Sequence, residues 1–227
     1  MRTLFQDEGL CGTNICDREL AVFFAPEWIV VMALFRVKPT SVDEDLANEI
    51  ASRASPVPAE VAGELSWGAD EHLLLGCAAA AWIALTISRS PLRPTSSHLL
   101  LIAAASAALP HGLKLVFDQV RPDRKTLGGH LHGIPLSGDS LDAFPSGHAV
   151  HMGALASAAS VLPPRYRLPI WGVAVGLSAT RVAILAHWLS DVVVGFTIGV
   201  VVERAARRFT GYPDAYFRRV VSRGREP

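Results

Sequence analysis

The residues best suited to chemistry begin at Phe144-Pro145-Ser146-Gly147-His148, a loop that runs directly into an apolar stretch. Pro145 suits the first turn of a helix, because its missing N–H would have no intrahelical partner there. Gly147 lets the backbone approach a ligand closely, and the N–H groups at a helix start bind anions. His148 stands at the same helix start as a hydrogen-bond donor or proton carrier. Taken alone, the loop could equally be an ordinary turn.

Two flanking segments add cations, a second histidine and a carboxylate. Upstream, Lys114 and Arg121 are seven positions apart, so one helix end could present both. Downstream, Arg181 and His187 lie about 9 Å apart along a helix axis, and Asp191 follows at a spacing that lets a carboxylate contact the imidazole. These last three residues interrupt apolar sequence, where ionisable groups are costly and indicate function. The whole set suits a tetrahedral oxyanion such as phosphate.

The motifs resemble the three-part signature of the type 2 phosphatidic acid phosphatase superfamily. They are Lys114 with Arg121-Pro122, then Pro145-Ser146-Gly147-His148, then Arg181 with His187 and Asp191. That superfamily includes lipid phosphate phosphatases, bacterial acid phosphatases and vanadium haloperoxidases. Thr180 departs from the Ser that usually precedes the third-motif arginine, although it keeps the hydroxyl group.

The resemblance implies a role for each motif residue. His187 would attack phosphorus to form a phosphohistidine, and Asp191 would fix its tautomer and support its positive charge. His148 would protonate the leaving oxygen and later activate water. The remaining residues would bind the non-bridging oxygens and stabilise the transition state: Lys114, Arg121, Arg181, Ser146 and the Gly147 N–H. Neither a metal nor another cofactor is implied, because the protein supplies its own cations.

The elements that must position these residues are apolar runs typical of a membrane protein. Of the 227 residues, 50% are hydrophobic, and the mean hydropathy is +0.31. Lys plus Arg equals Asp plus Glu, so the overall charge gives no indication of nucleic-acid binding. The three cysteines form no metal-binding pattern, and the first ten residues lack the features of a secretory signal.

Six apolar runs predict an all-α fold, a bundle of six transmembrane helices in one membrane-embedded domain over residues 1–227. The runs cover residues 20–37, 72–88, 98–118, 144–162, 168–186 and 188–202. The first run is marginal, since a span needs about 20 residues and Pro26-Glu27 interrupts this one; an interfacial or re-entrant segment is the alternative. Buried helices of a soluble all-α enzyme are the alternative for the whole bundle, but they would leave too little polar surface.

The segments around these runs differ in charge and in small residues. Residues 38–71 hold eight acids and two bases, and their apolar spacing predicts an extramembrane amphipathic helix between the first two spans. The domain core covers about 72–204, and residues 205–227 form a basic cytoplasmic tail. His130 and His132 alternate in the loop 119–143 and could bind a metal, although a solvated loop is the commoner case. Two glycine pairs are spaced for close helix approach in lipid: Gly172/Gly176 and Gly195/Gly199.

The charge distribution also predicts an orientation. The positive-inside rule places the arginine-rich tail in the cytoplasm, together with the loops at Arg89/Arg93 and Arg165/Arg167. The acidic segment and all three motifs then share the opposite side. The predicted location is a cell membrane, such as a bacterial inner membrane, with the site facing the periplasm or exterior.

These features predict an integral-membrane phosphatase that hydrolyses a lipid phosphate or diphosphate at the bilayer surface. Polyprenyl diphosphates such as undecaprenyl diphosphate and phosphatidic-acid-type glycerolipid phosphates are the two substrate classes considered. A vanadate-dependent haloperoxidase is the second enzymatic hypothesis. A non-catalytic scaffold or a transporter with residual phosphate binding is the alternative from another class. The presence of His148, His187 and Asp191 argues against it, since a scaffold needs none of them.

Overall fold

The computed structural model of the chain describes residues 34–53, 70–124 and 141–223. Most of the predicted first span, the second half of the acidic segment, and the pair His130 and His132 lie outside these ranges. The elements are β1 (Phe35–Arg36), α1 (Ser41–Arg53), α2 (Glu71–Ile87), α3 (Arg93–Lys114), β2 (Phe117–Asp118), a 3-10 turn (Pro122–Arg124), α4 (Gly147–Ala159), α5 (Pro164–Ala183), α6 (Leu189–Thr210) and α7 (Ala215–Arg223). The described chain is therefore mostly helical, as expected.

Helix ends differ from the apolar runs where local chemistry decides the boundary. α3 begins at Arg93 rather than at residue 98, because Pro94 suits a first helical turn. It ends at Lys114, and of the residues predicted to extend it to 118, the last two instead form β2, which pairs in parallel with β1. α6 runs past residue 202 to Thr210 and stops at Gly211, whose φ of 68° lies in the left-handed region that glycine favours. The first part of the predicted tail therefore belongs to a core helix.

Membrane-spanning character is clearest in α3. By length and composition, it is the one helix in the described ranges that could cross a membrane. α2 is also apolar but has 17 residues. Its start is capped by Asp70, whose carboxylate accepts the N–H groups of His72 and Leu73 at 3.0 Å each. The number of six spans therefore stays a prediction.

α4 packs against α6 more closely than any side chain would allow. A Cβ atom on Gly199 would overlap the carbonyl oxygen of Val150, and one on Gly195 would lie 2.6 Å from the carbonyl oxygen of Ser146. The predicted close approach at this glycine pair is confirmed. At Gly172, by contrast, no described atom lies within 4 Å of an added Cβ. The same holds for its partner four residues later.

Gly199→Ala is expected to lower the free energy of unfolding by about 1–3 kcal/mol, because the new methyl group must displace backbone of α4. The measurement is the thermal unfolding midpoint of the protein in detergent. Gly172→Ala is the matched control, since its methyl group meets open space and alanine favours a helix by about 0.5–1 kcal/mol. An equal fall in both variants would contradict the close α4–α6 contact.

A buried polar cluster joins α3, α4 and α6 at the end of the helices that the motifs do not occupy. Glu203 is fully buried and accepts a hydrogen bond from the Ser157 hydroxyl at 2.5 Å. His98 is also fully buried, with Nε2 at 3.2 Å from Glu203 Oε1 and Nδ1 at 2.7 Å from the Thr210 hydroxyl. This cluster exists because α6 continues beyond the apolar run.

Candidate active site

His187 lies in the turn between α5 and α6, and its side chain is 3% exposed. Its Nδ1 lies 2.7 Å from the carbonyl oxygen of Ala143. Because a carbonyl oxygen only accepts, Nδ1 carries the proton and Nε2 keeps the lone pair of the neutral ring. Burial, and then the positive charges of Arg181, Arg121 and Lys114, hold the pKa of His187 well below its usual value. The imidazole is therefore neutral at neutral pH.

The turn that carries His187 is held by backbone and side-chain hydrogen bonds. The His187 N–H donates to the Arg181 carbonyl at 3.1 Å. Leu185 has a φ of 57°, a left-handed conformation that residues other than glycine rarely adopt. Trp188 is buried and donates its indole N–H to the Val120 carbonyl at 2.8 Å. Such a constrained turn presents the imidazole in one orientation.

Asp191 lies in the first turn of α6, and its carboxylate is close to the His187 ring. Its Oδ2 accepts the Trp188 N–H at 2.9 Å and lies 3.9 Å from His187 Nδ1. The hydrogen bond that fixes the tautomer is thus made by Ala143, whereas Asp191 is at ion-pair distance. At this distance its charge can support a cationic imidazole, and its cap holds the start of the helix.

Lys114 and Arg121 converge on one carboxylate, that of Asp142. Lys114 Nζ lies 3.2 Å from Oδ2, and Arg121 Nε lies 2.7 Å from Oδ1. Arg181 is buried and interacts electrostatically with both Arg121 and Asp142. The end of α3 and the segment after β2 therefore bring two cations to the same carboxylate. The sequence places Asp142 at the border of the predicted site, where a solvated loop carboxylate is the commoner case; its ion pairs with both cations were not predicted.

His148 stands in the first turn of α4 and is partly exposed. Ser146 is the residue before that helix; its N–H donates to the Asp191 carbonyl at 3.3 Å, which joins the loop to the start of α6. The Ser146 hydroxyl is buried, with no hydrogen-bond partner among the residues that the structure describes. The charges of Arg181 and Lys114 act on His148, as they do on the other imidazole. The same two cations thus act electrostatically on both histidines.

Asp43 is a further site residue that sequence analysis did not single out. It belongs to α1 and is 3% exposed. Its carboxylate accepts the Ser190 N–H at 2.9 Å and the Ser190 hydroxyl at 2.8 Å, as well as the Thr40 N–H and hydroxyl. Burial opposes its ionisation, but the hydrogen bonds from Thr40 and Ser190 outweigh burial and lower the pKa of Asp43. The ionised carboxylate ties α1 to the first turn of α6.

Apolar contacts reinforce this link between α1 and the histidine turn. One cluster of buried side chains joins α1, the Pro145 loop and the turn before α6, and it consists of Ala47, Ala51, Ala143, Leu185 and Trp188. Ile50 packs against the same cluster. α1 therefore covers the turn that presents His187, as well as capping the helix after it.

Asp43→Asn is expected to lower kcat by roughly 10–10²-fold with little change in KM, because a small displacement of a catalytic group is enough for such a loss. The amide cannot accept as the carboxylate does, so the turn that carries His187 is less firmly held. The measurement is steady-state release of phosphate, the reaction that the sequence motifs predict, in mixed micelles. Asp45→Asn, on the exposed side of the same helix, removes an equal charge and should leave kcat unchanged. Equal losses would mean that charge alone is responsible.

Comparison with known proteins gives one family. The family model described as the PAP2 superfamily matches residues 95–214. The first and last residues of this match, Thr95 and Asp214, are themselves hydrogen-bonded at 2.9 Å. The motif residues all fall within the match, whereas α1 with Asp43 precedes it.

Two curated relatives are the lipid A 1-phosphatases of Rhizobium johnstonii and Rhizobium etli. Each is 33% identical over 129 residues, which is 53% of this chain. The aligned part is 53% of the first relative and 56% of the second. The chain thus spans about half the length of the curated relatives that it matches.

Two solved structures share the fold. One is the first transmembrane PAP2-type phosphatidylglycerolphosphate phosphatase from Bacillus subtilis, with a TM-score of 0.59, 20% identity, and coverage of 78% of this chain and 88% of that one. The other is LpxE of Aquifex aeolicus, with a TM-score of 0.56, 18% identity, and coverage of 78% and 99%.

Proposed function

The chain belongs to the PAP2 superfamily, and from that premise we propose that it is an integral-membrane hydrolase that removes phosphate from a lipid through a phosphohistidine. The observation that carries this proposal is the contact of His187 Nδ1 with the Ala143 carbonyl. It leaves a neutral nitrogen, Nε2, as the nucleophile, in the field of three cations.

In the first step, the lone pair of His187 Nε2 attacks phosphorus. The bond between phosphorus and the ester oxygen breaks, its electrons pass to that oxygen, and His148 donates a proton to it. The three motif cations bind the non-bridging oxygens, where charge develops in the transition state. Asp191 supports the positive charge that forms on the imidazole.

In the second step, water replaces the histidine. His148, now neutral, accepts a proton from a water molecule while the oxygen of that water attacks phosphorus. The P–N bond breaks, its electrons return to His187 Nε2, and inorganic phosphate leaves. The protein's own cations supply the positive charge in both steps, so we propose a metal-independent reaction.

A lipid substrate is supported by an apolar groove beside the histidine turn. The groove has a volume of about 820 Å³ and lies between α1, α5 and α6. Its walls include Ile50, Val182 and Phe196, and Val182 directly follows the motif arginine of α5. An acyl chain in the groove would keep its phosphate near the cations.

Among lipid phosphates, we propose a lipid A-type glycolipid 1-phosphate as the first candidate, since both curated relatives are named for that activity. Polyprenyl diphosphates and glycerolipid phosphates are the competing classes. The charge distribution supports a site that faces the periplasm, with the arginines at the start of α5 and beyond α6 on the cytoplasmic side.

The test is a substrate panel in mixed micelles, with and without a chelator. Phosphate release is measured from lipid A, a polyprenyl diphosphate, phosphatidic acid, phosphatidylglycerol phosphate and a soluble aryl phosphate. We expect the highest kcat/KM for lipid A, undiminished by the chelator. A strict need for a divalent metal would contradict the metal-independent mechanism. Halide oxidation that requires vanadate would favour a haloperoxidase, and phosphate binding without turnover of any substrate would favour a scaffold or transporter.

A further inference from the structure

A second basic pocket lies at the end of the helices opposite the two histidines. His148 is in the first turn of α4, and Ser160 follows the end of that helix. Arg181 is near the end of α5, and Arg167 is in its first turn. At 1.5 Å per residue, each pair is separated by roughly 20 Å along its helix. The pocket has a volume of about 380 Å³ and is lined by Ser160, Arg167, Leu168, Trp171, Arg204 and Arg207.

Two of its arginines are held in place by the buried cluster around Glu203. Arg207 donates Nε–H to Glu203 and Nη2–H to the Ser157 carbonyl at 2.7 Å. Arg204 donates Nε–H to the Ser157 hydroxyl at 3.1 Å. The arginine side chains therefore lose little further conformational entropy when they bind an anion. One buried carboxylate among three guanidinium groups leaves the pocket positively charged.

The other wall is formed by the start of α5. Trp171 donates its indole N–H to the Ser160 hydroxyl at 3.3 Å, which fixes the ring. Arg167 is exposed, and within the described part of the chain its guanidinium makes no ion pair. Leu168 lines the same pocket and is 65% exposed. The Arg167 guanidinium, with N–H donors available to a ligand, thus lies beside an indole ring and an exposed apolar side chain.

We propose that this pocket binds the phosphate headgroup of an anionic phospholipid in the leaflet opposite the active site. Guanidinium groups recognise phosphate through paired hydrogen bonds, and basic pockets between membrane helices on the cytoplasmic side bind lipid headgroups. Free inorganic phosphate would satisfy the arginines but would leave Leu168 uncovered. Tyr166, at the same end of α5, is 51% exposed, and such residues favour the membrane–water interface. The inference rests on the membrane location proposed above, but not on the chemistry at His187.

The experiment measures lipid binding by the full chain in phosphatidylcholine nanodiscs into which phosphatidylglycerol is titrated. Bound lipid is counted by native mass spectrometry, so catalytic activity is not needed for the readout. Arg167→Gln is expected to weaken phosphatidylglycerol binding about fivefold, from about 1 kcal/mol per arginine near a lipid surface. Arg204→Gln, as a second variant, should act in the same direction. Arg219→Gln, on the exposed side of α7 and outside the pocket, removes an equal charge and should leave binding unchanged.

Three results would overturn the proposal. The first is unchanged phosphatidylglycerol binding in both pocket variants, with thermal unfolding midpoints in phosphatidylcholine that match the wild type. The second is an equal loss in Arg219→Gln, which would indicate general attraction to the charged surface. The third is displacement of phosphatidylglycerol by inorganic phosphate at equal concentration, which would indicate a site for free phosphate. Intact phosphatase activity together with lost lipid binding in Arg167→Gln would separate this pocket from the catalytic site.

Discussion

Replacing His187 with alanine is expected to lower phosphate release from a lipid phosphate by roughly 10⁴–10⁶-fold, as for other enzymes that lose a nucleophile. The residual rate would come from binding and charge stabilisation by the three cations. The measurement is steady-state phosphate release, together with alkaline detergent quenching during turnover of a ³²P-labelled substrate. Wild-type protein should carry acid-labile, base-stable phosphate, and His187→Ala should carry none.

His111→Ala is the matched control for this prediction. His111 lies on α3 near Lys114, with its side chain 65% exposed and Nε2 at 3.2 Å from Glu71. Removing its imidazole should leave turnover and phosphate labelling close to the wild-type values. Labelled phosphate on His187→Ala would show that another residue is the nucleophile and would end the phosphohistidine mechanism.

The second large effect is expected for His148→Ala, which should lower kcat on a lipid phosphate by roughly 10²–10⁴-fold, the usual contribution of a general acid or base. An aryl phosphate with a good leaving group needs little protonation, so its first step should be nearly unaffected. The phosphohistidine should then accumulate, because water is no longer activated. Rapid-quench measurements of aryl release and of protein-bound phosphate test His148 as the acid of the first step and as the base of the second.

For this variant, the two substrates serve as each other's control. A burst of aryl product followed by slow turnover supports His148 as acid in one step and base in the next. If His148→Ala forms phosphoenzyme from the lipid as fast as wild type does, His148 is not the proton donor. A loss of the burst with both substrates would instead indicate that the residue binds phosphate.

Residue types and their order were enough to predict candidate site residues, but not the contacts between them. Lys114 and Arg121 do meet, at the carboxylate of Asp142. The predicted reason, a shared face at a helix end, was wrong, because α3 ends at Lys114 and Arg121 follows β2. The contact between His187 and Ala143 was not, because it depends on how two segments far apart in sequence meet. Asp43 is one acid among eight in its segment, and nothing local distinguishes it from the exposed Asp45. The hydrogen bond from Ser190 to Asp43 depends on the packing of α1 against α6, which the sequence does not show.

The fold shows the same division between local and long-range information. Apolar runs located the helices, and Pro94 and Gly211 explain ends that hydropathy alone misplaced. Two glycine pairs have identical spacing, yet only Gly195 with Gly199 meets a neighbouring backbone. Spacing indicates that a helix can be approached closely, whereas the partner depends on tertiary packing. His98 is the first residue of the third apolar run, and it is buried because α6 extends far enough to cover it.

The Asp142 carboxylate, which pairs with both Lys114 and Arg121, must be displaced before another anion can bind these two cations. Asp142 precedes Ser146 by only a few residues, so it is tethered close to the two cations at a high effective concentration. An anion in solution must compete with the Asp142 carboxylate for the two cations, and chloride or another singly charged ion competes poorly. A phosphate ester brings up to two charges and several acceptor oxygens, and we expect it to displace Asp142 from the two cations. Asp142 would thus make the cation pair selective for phosphate esters over the singly charged anions of common salts.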